Sequence, residues 1–302
     1  MKVMIFWTSY LWFPFVVLCL MAVLRRKGGW RRFAVFALLA SLPLAWARFV
    51  EPQLLFTHEV AIDLSGDAEP GQTIKIALFA DTHFGVFGNA MPMRRIVEQV
   101  NTEGVDAVFI AGDFLYELPA DKIAASLAAL SQLEAPVYAV TGNHDVGFPG
   151  PDYGSSLYVA LRELDVTLLE NRAFEIEIVG QRVVVAGASD LWQGRQSFGY
   201  STDLPKGVPV LLLTHNPDTA LSVPKEFQYD LMLAGHTHGG QIRIPGMVRR
   251  VIPTQYPFDM GLHTMPDGRR VYVTPGTGMV GLPMRFRRPP RIDVLTLTLP
   301  AR

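Results

Sequence analysis

Five of the seven histidines in this 302-residue chain sit in short polar motifs, each directly behind an apolar run. The motifs are Asp81-Thr82-His83, Gly142-Asn143-His144-Asp145, Thr214-His215-Asn216 and Gly235-His236-Thr237-His238-Gly239-Gly240. A fifth motif, Gly112-Asp113, has the same setting without a histidine. Carboxylate, amide and imidazole groups with no cysteine among them are oxygen and nitrogen ligands. They suit manganese, iron, zinc or cobalt and not a thiolate centre. Seven candidate ligands are too many for one ion and suit two ions that share a carboxylate. Two cations about 3.5–4 Å apart bind a phosphate and lower the pKa of a bridging water, and the resulting hydroxide attacks phosphorus in line. Asp-Thr-His or Gly-Asp alone is more often a turn than a ligand pair. In this order, each at a strand end, the motifs together are hard to ascribe to core packing.

The elements that must position these groups follow from apolar spacing. From Thr73 onward strands and helices alternate. Strands are predicted at Ile74–Ala80, Ala107–Ala111 and Pro136–Val140, with helices at Pro92–Thr102 and Asp121–Leu133 between them. This β-α-β-α-β rhythm predicts a buried, largely parallel sheet, which offers its ligands at the carboxyl ends of the strands. After a helix near Ser156–Leu164 come strands at Val166–Leu169, Phe174–Val179 and Arg182–Ala186, with a hairpin at Val179-Gly180-Gln181. Val210–Leu213, Leu231–Ala234, Arg270–Thr274 and Asp293–Leu299 complete the second set. Glu51 to Gln72 reads as a connector with a possible strand at Glu59–Leu64.

The N-terminus has another character. Val3 to Leu24 holds 22 residues without a charge, roughly 33 Å of helix and enough to cross a bilayer core. A second apolar run, Phe33 to Ala47, is short for a span unless it extends past Arg48. Arg25, Arg26, Lys27, Arg31 and Arg32 lie between the runs and would hold that turn in the cytoplasm. The expectation is a membrane anchor over 1–50 and a catalytic domain over 51–302, on the periplasmic or extracellular side of a bacterial inner membrane. Two alternatives are a single span with a cytoplasmic body, and a signal peptide cleaved near Ala45-Trp46-Ala47.

A net charge of −1 hides an asymmetry. Residues 1–48 carry seven Lys/Arg and no acid, and residues 243–291 carry nine Arg and two Asp. The rest of the chain is strongly acidic. A basic strip beside an acidic body points to an anionic partner or to lipid headgroups, although it is also what a solvated arginine-rich loop would show. The single cysteine, Cys19, excludes an intramolecular disulfide and a cysteine-based zinc site.

The pattern D-x-H, G-D, G-N-H-D, H and G-H-x-H resembles the calcineurin-like metallophosphoesterases over about Thr73 to Leu299. Gly239-Gly240-Gln241 and the tail from Val273 to Arg285 look like the bacterial membrane-associated branch. The resemblance implies a two-sheet β-sandwich flanked by helices and two divalent metal ions. Asp81, His83 and His238 would hold the first ion, Asn143, His215 and His236 the second, and Asp113 would bridge them. His144 would not be a ligand. It would act on the phosphorus or the leaving oxygen, oriented by Asp145. Two departures touch no ligand: Phe114-Leu115-Tyr116-Glu117 after Gly112-Asp113, and Arg291 in place of an acid.

The expected activity is hydrolysis of a phosphodiester or pyrophosphate in a phospholipid or cell-envelope precursor, with Arg285, Arg287, Arg288 and Arg291 facing the headgroup or diphosphate. A broad phosphatase or nucleotide phosphodiesterase is the alternative, and a non-catalytic scaffold would be expected to lack some of these ligands. No nucleic-acid partner is expected, since the basic strip lacks interleaved aromatics.

Overall fold

A computed structural model describes residues 1–66, 68–88, 91–244 and 252–301. The first helices are α1 (Lys2–Thr8), α2 (Trp12–Arg25) and α3 (Gly29–Ala45). A 3-10 turn joins α1 to α2, and α3 continues through a π turn at Trp46–Val50. Two helical stretches, Lys2–Arg25 and Gly29–Gln53, are long and apolar enough to cross a membrane. They form a hairpin in which Trp12 Nε1 donates to Ser41 Oγ at 3.1 Å, while Leu18, Phe36 and Leu39 face outward. The second stretch runs past Arg48 because that residue is accommodated. Its Nε donates to Ser9 Oγ at 2.9 Å, and its guanidinium lies over the rings of Phe6 and Phe49.

Beyond the hairpin come β1 (Phe56–Asp63), β2 (Pro70–Phe79), β3 (Phe84–Gly85), α4 (Met93–Thr102), β4 (Ala107–Ala111), β5 (Leu115–Tyr116) and α5 (Ile123–Leu127). Next are β6 (Val137–Val140), α6 (Gly154–Glu163), β7 (Val166–Leu168), β8 (Arg172–Ile178) and β9 (Gln181–Gly187). The last strands are β10 (Val210–Leu213), β11 (Leu231–Ala234), β12 (Gly261–Thr264), β13 (Arg270–Val273) and β14 (Arg291–Pro300). The helix expected over Asp121–Leu133 is broken into α5 flanked by 3-10 turns. Its apolar residues Ile123, Leu127 and Leu130 still pack on the sheet.

Two six-stranded sheets carry the fold, in the orders β1-β14-β2-β4-β6-β7 and β12-β13-β11-β10-β9-β8. In the first, β2, β4, β6 and β7 are parallel; in the second, β9, β10, β11 and β13 are. Antiparallel pairs extend both sheets, β14 on β2, β12 on β13 and β8 on β9. Period-two alternation decides which side chains meet between the sheets. Ile74, Ile76 and Leu78 of β2 face Leu211 and Leu213 of β10 and Leu231 and Leu233 of β11 in one cluster. The opposite faces pack elsewhere. Val108 and Ile110 lie under α4 and α6, where Ile96, Val97, Val100, Leu157 and Leu161 supply a helical stripe. Val184, Leu212, Met232 and Val271 lie under a loop layer with Phe227 and Phe258. Strands buried on both faces read as continuous apolar runs, as parallel sheets require.

Candidate metal centre

The parallel strands of both sheets end at the same edge, and the polar motifs begin there. Asp81 follows β2, Asp113 follows β4, Asn143 follows β6, His215 follows β10 and His236 follows β11. All seven candidate ligands are buried. Five of them hold positive φ: Asp81 at 54°, His83 at 47°, Asp113 at 54°, His236 at 70° and His238 at 51°. A left-handed turn in a residue with a Cβ costs of order 1–3 kcal/mol and tends to gather at functional sites. Here it turns His236 and His238 in different directions, so the first presents Nδ1 to His215 and the second Nε2 to His83.

The motif glycines have a further task, which is to let chains approach. A Cβ on Gly142 would stand 2.2 Å from Asp113 Oδ1, and one on Gly235 would stand 2.6 Å from the Ala80 Cβ.

Two groups of ligand atoms result. His83 Nε2 and His238 Nε2 are 3.0 Å apart, and His238 Nε2 is 3.5 Å from Asp81 Oδ1. On the other side, His215 Nε2 lies 3.0 Å from Asn143 Oδ1 and 3.1 Å from His236 Nδ1. Asp113 joins them, with Oδ2 at 3.5 Å from His83 Nε2 and 3.2 Å from His215 Nε2. Its other oxygen, Oδ1, accepts the His144 amide at 2.9 Å. Asp81 is within ligand distance of both groups.

These atoms fit cations. The Ala111 carbonyl faces His215 Nδ1 at 2.7 Å and so takes its proton, and the amide nitrogen of Asn143 donates to the Phe148 carbonyl at 2.6 Å. Nε2 of His215 and Oδ1 of Asn143 are thereby left as lone-pair atoms turned towards each other, and only a positive charge relieves them. Burial lowers His83 and His236 to about 3, and His238 well below its ordinary value. They are therefore neutral imidazoles, the state a metal takes. Burial also pushes Asp81 up to about 7, with the charge of Asp113 in the same direction and that of His215 opposing. A proton on Nε2 is one such positive charge and makes His215 a cation; a metal ion there would displace it. Burial opposes its charge, but Asp113 outweighs burial and holds it at about 10. For the same reason Asp113 stays below the usual carboxylate range.

His144 lies at the rim. Its Nδ1 is 3.1 Å from the Pro149 carbonyl, and its ring stands edge-on to His83 at 5.1 Å. Asp145 does not orient it, contrary to the sequence expectation. The Asp145 carboxylate instead accepts the amides of Gly142 at 2.9 Å, Leu115 at 3.0 Å and Phe114 at 3.2 Å. It ties the loop after β6 to the loop after β4 and so sets the distance between Asn143 and Asp113. Burial pushes its carboxyl up to about 8, against those three donors.

The arginine strip needs correction too. Arg285 is fully buried, and its guanidinium donates to the carbonyls of Gly278, Pro275 and Arg288, with Nη2 3.5 Å from His238 Nδ1. It braces the loop behind His238 and faces no headgroup. Arg291 pairs with buried Asp293 at 2.8 Å. Arg287 remains exposed, whereas Arg249 and Arg250 lie outside the described residues.

Two residues escaped the sequence reading, and a third, Gln241, was singled out only as part of a family-like run. Asp190, behind β9, is fully buried with Oδ2 unpaired, and burial raises it to about 6. Its position after a parallel strand was the available signal. Trp192 stands edge-on to His236 at 4.7 Å and is part-exposed at the rim. Gln241 Nε2 lies within 3.0 Å of the carbonyls of Val280, Leu282 and Met284, which share its two hydrogens, and Oε1 accepts the Val280 amide, which fixes the loop after β13.

Known proteins resemble this chain in the same region. The profile of the calcineurin-like phosphoesterases matches residues 74–240, more than half of the chain. An uncharacterised metallophosphoesterase, YkuE of Bacillus subtilis, is 29% identical over 90% of this chain and 95% of its own length. The phosphodiesterase YaeI of Escherichia coli is 30% identical over 80% of this chain and 87% of its own. A Danio rerio transmembrane protein with a metallophosphoesterase domain is 28% identical over 86% of this chain and 61% of its own. With its α/β fold and its clustered Asp and His ligands, the chain belongs to the calcineurin-like phosphoesterase family, hydrolases of phosphoric esters that bind two divalent metal ions.

Proposed function

We propose that the chain is a membrane-anchored phosphoesterase that cleaves phosphodiester or pyrophosphate bonds in a phospholipid or cell-envelope precursor. Residues 1–50 serve as the anchor and residues 51–302 as the catalytic domain. The observation that carries this reading is the short distance between hairpin and site. Phe6 of α1 stacks on Phe87 at 6.0 Å, Phe87 packs on Tyr116 at 5.6 Å, and Tyr116 lies against His83 and His144. The flanking aromatics Trp7, Tyr10, Trp12 and Trp46 are of the type that seeks the bilayer interface. A lipid phosphate at that interface would lie within a few side-chain layers of the metal ligands. Five positive charges at the turn between the helices support a domain outside the cytoplasm of a bacterial cell. The transmembrane label of the Danio rerio relative supports the anchor.

In this reading Asp81, His83 and His238 would hold one ion and Asn143, His215 and His236 the other, with Asp113 available to both. The ions, when bound, neutralise phosphate charge and activate water. The residues do the rest. The Pro149 carbonyl accepts the Nδ1 proton of His144, a tautomer assigned from its partner, so Nε2 protonates the leaving oxygen only when the ring carries a second proton there. Asp145 holds the two ligand loops in register.

One observation favours a second reading, a nucleotide phosphodiesterase: part-exposed Trp192 beside His236 offers a face on which a base can stack. A substrate panel with added manganese separates the two. Glycerophospholipids and nucleotide-linked lipids in detergent should be cleaved faster than small chromogenic diesters. Turnover of the diesters with no lipid hydrolysis would remove the lipid substrate.

A further inference from the structure

Tyr116 belongs to none of the ligand motifs, yet it touches two of their residues. Its ring stands edge-on to His144 at 4.9 Å and to His83 at 5.3 Å. Its backbone lies in β5, two residues long and paired with the two-residue β3, with its carbonyl accepting the Val86 amide at 2.9 Å and the preceding amides tied to Asp145, none of which reaches its ring. A ladder that short does not hold a side chain in place by itself. The hydroxyl is where the ring is tied. It accepts from Lys2 Nζ at 2.8 Å and from the Gly281 amide at 3.3 Å. The Lys2 ammonium also lies 4.1 Å from the ring centroid and pairs with the Glu117 carboxylate. One turn further along α1, Phe6 joins Phe87, Tyr116 and Met279 in a buried cluster.

We propose that α1 of the membrane hairpin is a positioning element of the active site: Lys2, held by Glu117, fixes Tyr116, and Tyr116 sets the ring of His144. The proposal rests on the role given to His144 above. Among the described residues the His144 ring has one hydrogen-bond partner, the Pro149 carbonyl, with His83 edge-on to it at 5.1 Å, and a single hydrogen bond leaves an imidazole able to swing about it. The edge of Tyr116 removes that freedom. Glu117 itself is held at φ 55°, an unfavoured conformation, which presents its carboxylate to Lys2. The hairpin therefore does more than tether. The site reaches its working geometry only when α1 is docked, which couples activity to insertion of the hairpin.

The test uses the full chain in detergent micelles with added manganese and bis(p-nitrophenyl) phosphate as probe. Misplacing a catalytic group by about an ångström can cost up to ~10²-fold, so Lys2→Met and Tyr116→Phe should each lower kcat by ~10-fold. KM should move less than about twofold and both metals should remain bound. The double variant should be no worse than either single one, since both break the same tether. Lys2→Arg, which keeps the cation and its donors, should recover most of the rate. Wild-type kcat in Lys2→Met, or losses that multiply in the double variant, would overturn the proposal. A second readout needs no turnover: the His144 ring resonance in histidine-labelled protein senses the Tyr116 ring and should shift in Lys2→Met. If it stays in place, the proposal fails. If the wild-type chain cleaves neither the diester nor a lipid of the panel, the functional reading fails, and the resonance still decides this one.

Discussion

The loops of the first sheet and those of the second meet at one site but bring different atoms to it. Behind β2, β4 and β6 stand the oxygens of Asp81, Asp113 and Asn143 together with His83 and His144. Behind β10 and β11 stand only imidazoles, those of His215, His236 and His238. Burial makes the difference matter. A buried imidazole avoids the cost of a charge by staying neutral, as His236 and His238 do. Two buried carboxylates side by side need cations, and among the described residues neither Asp81 nor Asp113 forms an ion pair with an arginine or lysine, Arg285 acting on Asp81 only from behind His238. The first sheet thus creates the demand for metal, and the second closes each ion's ligand set. Each set draws on both sheets, His238 with His83 and Asp81, and His215 and His236 with Asn143. Metal binding should therefore report on whether the sheets are packed together.

The largest effect is expected at the residue the two groups share. Asp113→Asn removes the charge between His83 and His215, and it should abolish measurable turnover and lower the metal content from two ions per chain, as read by elemental analysis. Two retained ions would show that the carboxylate does not join the two groups.

His144→Ala separates chemistry from ligation. Loss of a positioned proton donor costs ~10²–10⁴-fold, and activity should fall in that range with both ions kept. Stoichiometric loss of an ion would make His144 a ligand. Chelation tests the coupling of the sheets directly. At a thousandfold excess over its dissociation constant a ligand adds about 4 kcal/mol of stability, so chelator should lower the melting temperature of wild-type protein by several degrees. It should do much less to Asp113→Asn.

Asp190→Asn probes a carboxylate contributed by the second sheet behind β9. Groups around metal ligands are worth ~10–100-fold in metal affinity, and the change should fall at the low end of that range in a competition titration. An effect as large as that of Asp113→Asn would mean that the second sheet also supplies ligand charge.

Much of the site was legible because its ligands follow strands whose apolar runs are themselves readable. β4, β10 and β11 lie where their spacing places them. The role of Asp145 was not legible. A carboxylate next to a histidine in sequence suggests a pair, but the backbone turns it towards three amides of its own and the neighbouring loop. Arg285 was misread for a related reason: sequence shows a cation, and only the fold shows three carbonyls converging on it. The short strands β3 and β5 left no periodicity to read at two residues each.

By itself the sequence determined the ligand types, their order, the strands that precede them, one apolar stretch long enough for a membrane and a second that is short unless it passes Arg48. Those depend on local spacing and on the chemistry of individual side chains. Only the tertiary structure decided that Asp113 stands between two histidine groups, that positive φ parts His236 from His238, and that Lys2 reaches Tyr116 across 114 positions. Those relations depend on how two sheets and a hairpin pack, and packing brings together residues whose separation along the chain carries no trace of their contact.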